Sequence, residues 1–149
     1  MIGRYLRENQ WGFDQVISSP AVRCTETLDA LWEGYGEILH PNWDKRIYLA
    51  SGATLLDVVQ DLPDGAERVM MCGHNPGLED LILTLVPDKA GDSLRDAVEE
   101  KFPTAAIAEL ILDIDQWRDV GRGKAQFTQL VRPRDLDPNL GPAMDHPSD

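Results

Sequence analysis

The chain has 149 residues and carries 26 Asp and Glu against 14 Lys and Arg, a formal net charge of −12. That length suits one domain with a real core, and the acidic balance argues against a nucleic-acid backbone binder, which needs clustered basic residues. No apolar run approaches the roughly 20 residues that cross a bilayer, the start lacks the apolar segment of a signal peptide, and Cys24 and Cys72 have no metal-ligand spacing. No membrane or nucleic-acid partner and no metal or other cofactor are therefore expected, and reduced thiols in a cytoplasmic protein are the plain reading.

In chain order, Ile2, Tyr5 and Leu6 recur at helical spacing, so residues 1–9 read as the end of an amphipathic helix. Asp14 to Ser18 reads as a buried strand, after which Ser19 as N-cap and Pro20 at the first helical position open a helix to about Trp32. A loop carrying His40-Pro41-Asn42-Trp43 leads to a short element around Arg46 to Leu49. A helix follows from about Ala53 to Asp61, stopped by Leu62-Pro63-Asp64-Gly65. Glu67 to Cys72 is the strongest strand, apolar almost throughout, as a covered parallel strand is. Asn75-Pro76 then starts a helix through Leu78, Leu81, Ile82 and Leu85. Asp92 to Lys101 reads as a surface helix, and Ala105 to Ile114 and Lys124 to Val131 as two antiparallel strands. From Arg132 onward Pro, Asp and Asn dominate and the chain reads as a tail. The domain is set at residues 1–136, with 137–149 as a flexible extension. The alternation of strand and helix implies an α/β fold of the open-sheet kind.

Two strand-to-helix junctions carry the chemistry. The first is Ser18-Ser19-Pro20-Ala21-Val22-Arg23-Cys24, and the second is Cys72-Gly73-His74-Asn75-Pro76-Gly77. Ligands of open α/β sheets sit beyond the carboxyl ends of the strands, where both junctions fall. Arg23 stands in the first turn of its helix, where side chains lean back toward the strand end. A guanidinium there can grip phosphate oxygens through charge-assisted hydrogen bonds of about 1.5–3 kcal/mol each. His74 directly follows its strand, beside a helix start whose free N–H groups add positive potential. Taken singly, Arg23 reads as a solvated residue and His74 as structural. Ser19 and Asn75 are accounted for as caps, and Cys24 and Cys72 as packed thiols.

The run Ser18-Ser19-Pro20-x-x-Arg23-x-x-x-Thr27 and the run Gly73-His74-Asn75-Pro76-Gly77-Leu78 resemble the histidine phosphatase superfamily, and within it the SixA-type phosphohistidine phosphatases. Ile47-Tyr48-Leu49-Ala50, residues 101–108 and Val131-Arg132-Pro133-Arg134-Asp135-Leu136 extend the resemblance over nearly the whole chain. It implies a phosphoglycerate mutase-like, three-layer α/β/α sandwich with a mostly parallel sheet. It also implies metal-independent hydrolysis in which a neutral histidine attacks phosphorus, becomes a phosphohistidine, and is released by water. On this resemblance Arg23 and His74 are the catalytic members of the phosphate pocket, and Asn75 adds its backbone N–H. The implied substrate is a phosphorylated protein, with phosphohistidine favoured because no general acid for a poor leaving group is evident. Glu79 reads as a solvated face residue. A small phosphomonoester substrate and a non-catalytic phosphate-binding module are the alternatives.

One departure stands out. The family's nucleophile lies in an Arg-His motif after its first strand, and the dipeptide Arg-His occurs nowhere in these residues. His40 precedes Pro41 in a loop without an adjacent Arg, and His146 lies in the expected tail. The expectation is a domain with its first strand missing, either through a start placed too far downstream or as an inactive paralogue.

Overall fold

Strand β1 (Gln15–Ser18) lies in the middle of a parallel sheet, between β2 (Asn42–Trp43) and β3 (Val69–Cys72). The computed structural model describes residues 2–88, 91–100 and 106–136. Met1, the segment 101–105, the extension 137–149 and His146 lie outside the described residues. The register of β1 and β3 pairs Val16 with Met70, Ile17 with Met71 and Ser18 with Cys72. Asp14 fixes that register from below: its carboxylate accepts the Glu67 and Arg68 backbone N–H groups at 2.8 and 3.2 Å.

Because strand side chains alternate between faces, Val16 and Met70 go to one side and Ile17 and Met71 to the other. On the first side helices α1 (Ile2–Glu8) and α2 (Val22–Tyr35) supply Ile2, Leu6, Leu28 and Trp32 to a buried cluster. On the second side α3 (Gly52–Gln60), α4 (Gly77–Leu85) and α5 (Ser93–Glu100) contribute Leu55, Val58, Leu81, Ile82 and Val98. The result is the expected α/β/α sandwich around a parallel sheet. An antiparallel hairpin, β4 (Ile107–Leu112) with β5 (Ala125–Val131), joins both layers. Its Ile107 and Val131 pack with the first cluster, and its Leu110 and Phe127 with the second. Among the described residues β3 has a strand partner on one edge only.

Several boundaries differ from the sequence reading. Both site helices start later than the Pro signals imply. Helix α2 begins at Val22 with Ala21 in extended geometry as its N-cap, and α4 begins at Gly77 with Pro76 at the cap. Ser19 and Asn75 are therefore not the caps. Asn42 and Trp43 form a strand rather than loop, with Trp43 registered against Ser18. The next element is a 3-10 turn at Lys45–Ile47, capped by the Asp44 carboxylate, which accepts the Arg46 N–H. Helix α5 is not a surface helix throughout, because Val98 is fully buried and Arg95 nearly so. Past Arg132 the chain is not immediately tail: a one-turn helix, α6 (Pro133–Leu136), packs Leu136 against the first cluster.

Candidate active site

The site is built where β1 and β3 end side by side. The Ser19 N–H donates to the Cys72 carbonyl at 3.0 Å, extending the strand pairing one residue beyond Ser18. The chain after β3 then turns at Gly73, where a Cβ would stand 3.0 Å from the Ile47 methyl. This tight passage places the His74 ring over the end of β1. The His74 carbonyl accepts the Leu78 N–H at 3.0 Å, tying the residue to the first turn of α4.

The imidazole is held on three sides. Its Nε2 lies 2.9 Å from the Ser19 hydroxyl and 3.9 Å from the Cys24 sulfur. Tyr48 meets the ring edge to face, with centroids 5.7 Å apart. Ser19 is fully buried, and its oxygen also accepts the Ala21 N–H at 3.2 Å. Ser18 beneath it donates its hydroxyl to the Ser19 carbonyl at 2.9 Å. Arg23 is exposed in the first turn of α2, and its charge is felt at His74. Burial, and after it the Arg23 guanidinium, hold the imidazole below its ordinary pKa of 6.5. A neutral ring beside an exposed guanidinium is an arrangement that an oxyanion would complete. An entering anion supplies the opposite charge that both groups lack.

The structure thus brings Arg23 and His74 to one strand-end corner, with Asn75 exposed beside His74. His40 stands exposed in the loop before β2. Sequence reasoning missed Ser19 as the partner of His74, and it missed Tyr48 and Cys24 as the ring's neighbours. A buried Ser-Ser pair directly after an apolar strand was the available signal for Ser19. Nothing in the local sequence marks Tyr48. A cavity of about 410 Å³ lined by Tyr5, Leu94, Gln129, Leu130, Val131 and Leu136 shares no residue with this corner.

This fold is the phosphoglycerate mutase-like fold of the SixA-type proteins. Among solved structures, a protein of Agrobacterium tumefaciens assigned as phosphohistidine phosphatase SixA superposes with a TM-score of 0.70 at 23% identity, over 89% of this chain and 75% of that one. A Nakamurella multipartitia protein with the same assignment gives a TM-score of 0.75 at 23% identity, covering 89% and 77%. The protein histidine phosphatase SixA in complex with tungstate gives 0.71 at 20% identity, covering 91% and 79%. In sequence, an uncharacterized protein of Mycobacterium tuberculosis is 28% identical over 135 residues, which is 90% of this chain and 82% of the relative. One of Mycobacterium leprae is 24% identical over 135 residues, covering 90% and 80%. No protein-family model matches the sequence.

Proposed function

We propose that this chain provides the phosphate-holding half of a metal-independent histidine phosphatase of the SixA type, acting on phosphohistidine in a protein substrate. The observation that carries it is the His74 imidazole, fixed by Ser19 at 2.9 Å and kept neutral beside the Arg23 charge, at the strand ends of this particular fold. In this reading Arg23 and His74 bind the equatorial oxygens of the transferring phosphoryl group, and Asn75 adds its backbone N–H. Stabilising charge that develops on those oxygens is where most phosphoryl-transfer catalysis arises. The nucleophile that the resemblance implies, a histidine in an Arg-His motif, is not among these residues; in the reaction proposed such a histidine attacks phosphorus as the substrate imidazole departs, and water then cleaves the phosphohistidine to release inorganic phosphate.

A macromolecular substrate is supported by the rim of the corner. Val22 beside Arg23, Trp43 registered against Ser18, Tyr48 against His74, and Leu49 next to Tyr48 in the chain are all large apolar side chains more than half exposed. Such a rim is buried when a protein docks and stays in water around a small phosphoester.

Calorimetric titration with inorganic phosphate tests the pocket, and hydrolysis of a histidine-phosphorylated protein by the product extended through the upstream reading frame tests the reaction. Binding lost in both Arg23→Ala and His74→Ala, with turnover of the phosphoprotein well above that of a small aryl phosphate, is the expected result. Binding without any turnover by the extended product selects the non-catalytic module. Near wild-type phosphate binding by either variant removes the site.

A further inference from the structure

The segment that brings Tyr48 to the His74 ring makes a turn whose residues do not suit it. Ile47 to Ala50 follow the type II pattern, with Tyr48 at φ −62° and ψ 116° and Leu49 at φ 48°. The Ala50 N–H closes the turn on the Ile47 carbonyl at 3.3 Å. The third position of such a turn is left-handed, which glycine adopts freely and a bulky side chain adopts only under strain. The other positive-φ positions among the described residues are Gly36, Gly91, Gly123 and the polar Gln10. Leu49 alone carries a large apolar side chain in this conformation.

Packing gives no reason for a leucine at this tip. Ile47 is fully buried and Ala50 packs against the second cluster, whereas Leu49 is 68% exposed and belongs to neither cluster. The turn is held from its far side. A Cβ on Gly77 would meet the Ala50 carbonyl, so that carbonyl stands directly against the start of α4. Ser51 then caps α3, its hydroxyl accepting the Thr54 N–H at 3.2 Å. Glycine or asparagine would satisfy the same backbone and leave less apolar surface in water. Strain kept where the fold has no use for the side chain points to a contact with another molecule.

We propose that Leu49 is a specificity-determining residue, packing against an apolar side chain that flanks the phosphohistidine of a protein substrate. This deepens the phosphatase reading above and rests on it. Tyr48, itself 55% exposed, meets the His74 ring with centroids 5.7 Å apart. Leu49 follows it, one Cα step of about 3.8 Å further along the chain. A phosphohistidine whose phosphorus reaches His74 therefore carries its neighbouring residues past this tip. The left-handed turn fixes the Leu49 backbone before the substrate arrives, so little ordering is needed to make the contact.

The consequence is a division of labour. Arg23 and His74 hold the phosphoryl group, whatever bears it, and Leu49 chooses among the proteins that bear it. An apolar flank leaves water together with Leu49, whereas a hydroxyl or charge pressed there loses hydration and finds no hydrogen-bond partner on a leucine. Inorganic phosphate has no flanking residue and is indifferent to position 49.

The test titrates three ligands into the 149-residue chain by calorimetry. Two are short peptides carrying a hydrolysis-resistant phosphoryltriazole analogue of phosphohistidine, one flanked by leucines and one by serines; the third is inorganic phosphate. Wild type is expected to bind the leucine-flanked peptide about tenfold more tightly than the serine-flanked one. Leu49→Gly and Leu49→Asn, which suit the left-handed turn, are expected to bind both peptides alike and phosphate as wild type does. Leu49→Met, apolar and of similar length, is expected to keep the preference. Denaturation midpoints of Leu49→Gly and Leu49→Asn at or above that of wild type show the relaxed turn, and a clear fall in both assigns Leu49 to the fold and overturns the proposal. Phosphate binding without a peptide preference in wild type, or a preference kept by both Leu49→Gly and Leu49→Asn, overturns the selection alone. Binding of none of the three ligands by wild type defeats the phosphate-site assignment and the selection built on it.

Discussion

The Ser19 hydroxyl and the His74 Nε2 atom stand 2.9 Å apart across the ends of two parallel strands. Ser19 also accepts the Ala21 N–H, which fixes the hydroxyl in place, and its hydrogen bond to Nε2 holds the ring in one orientation and one tautomer. Removing the hydroxyl frees the ring to turn and to change tautomer. A neutral hydrogen bond contributes about 0.5–1.5 kcal/mol, so Ser19→Ala is expected to weaken phosphate binding roughly twofold to tenfold. Nitrogen-15 NMR of the His74 ring is expected to show one tautomer in the wild type and a mixture in the variant. An unchanged ring spectrum and unchanged affinity would remove Ser19 from the site.

Arg23 acts on His74 through its charge, which gives that relationship its own signature. Arg23→Ala removes a like charge, so the His74 pKa is expected to rise toward 6.5 while phosphate affinity falls by roughly tenfold to a hundredfold, the equivalent of one charge-assisted hydrogen bond. Arg23→Lys keeps the charge and loses the fork, so it restores the low His74 pKa without restoring full affinity. Saturating phosphate moves the wild-type His74 pKa upward, because the anion brings the opposite charge. Proton NMR titration of the ring reads all three outcomes. A His74 pKa indifferent to both Arg23→Ala and phosphate places the two groups in separate environments.

The depressed His74 pKa also sets a stability trend. Below 6.5 the unfolded chain takes up a proton on this imidazole that the folded chain resists, so the unfolded state binds more protons and folding weakens. The contribution is present above the unfolded pKa and is lost as pH falls through the folded one. Wild type and His74→Gln are therefore expected to converge in denaturation midpoint as pH drops below 6.5, once the common acid loss is subtracted. A constant difference between them across that range would contradict the linkage.

The sequence announced the second junction well. An apolar run ending in Cys72-Gly73-His74 can only be a covered strand followed by a tight turn, and β3 has that form. The parallel arrangement of β1 and β3 and the two helical layers were equally readable from apolar spacing. What local pattern could not carry were contacts made at long range. Ser19 looks like a cap because its chemistry suits one, yet its hydroxyl is claimed by a histidine from another strand. Asn42–Trp43 is too short to show any period, and it becomes a strand only because β1 offers an open edge. Arg95 and Val98 sit in a segment polar enough to read as surface, and tertiary packing overrides it.

Gly77 opens α4 where a side chain has no room. A Cβ there would stand 2.1 Å from the Ala50 carbonyl oxygen and 3.3 Å from Leu55, and backbone on one side cannot rotate out of the way. Gly77→Ala must therefore push α4 off the Ala50 segment, at the overpacking cost of about 1–3 kcal/mol. His74 lies immediately upstream, bonded through its carbonyl to Leu78, so the same displacement shifts the imidazole. Chemical denaturation is expected to show the stability loss, with weakened phosphate binding at a temperature where the variant remains folded. Wild-type stability in Gly77→Ala would show that the two segments can part freely.

Arg95 supplies the converse case, a buried cation that serves the fold and not the site. It stands in α5 at 8% exposure, with Nε and a terminal nitrogen donating to the Val86 and Leu83 carbonyls at 3.4 and 3.2 Å. Those carbonyls belong to the end of α4, where backbone acceptors have no partners within the helix. Its remaining terminal nitrogen pairs with Glu99 and, at 3.4 Å, with Asp88. Arg95→Met keeps the aliphatic stem but strips the α4 end of its donors and leaves Glu99 without this cation. Hydrogen bonds to a charged group carry about 1.5–3 kcal/mol, so a loss of roughly that size is expected in denaturant unfolding. Phosphate affinity should stay within twofold of wild type, because no atom of Arg95 reaches the β1–β3 corner among the contacts of the described residues. An affinity loss as large as that of Arg23→Ala would mean that the end of α4 and its start move as one rigid piece with His74.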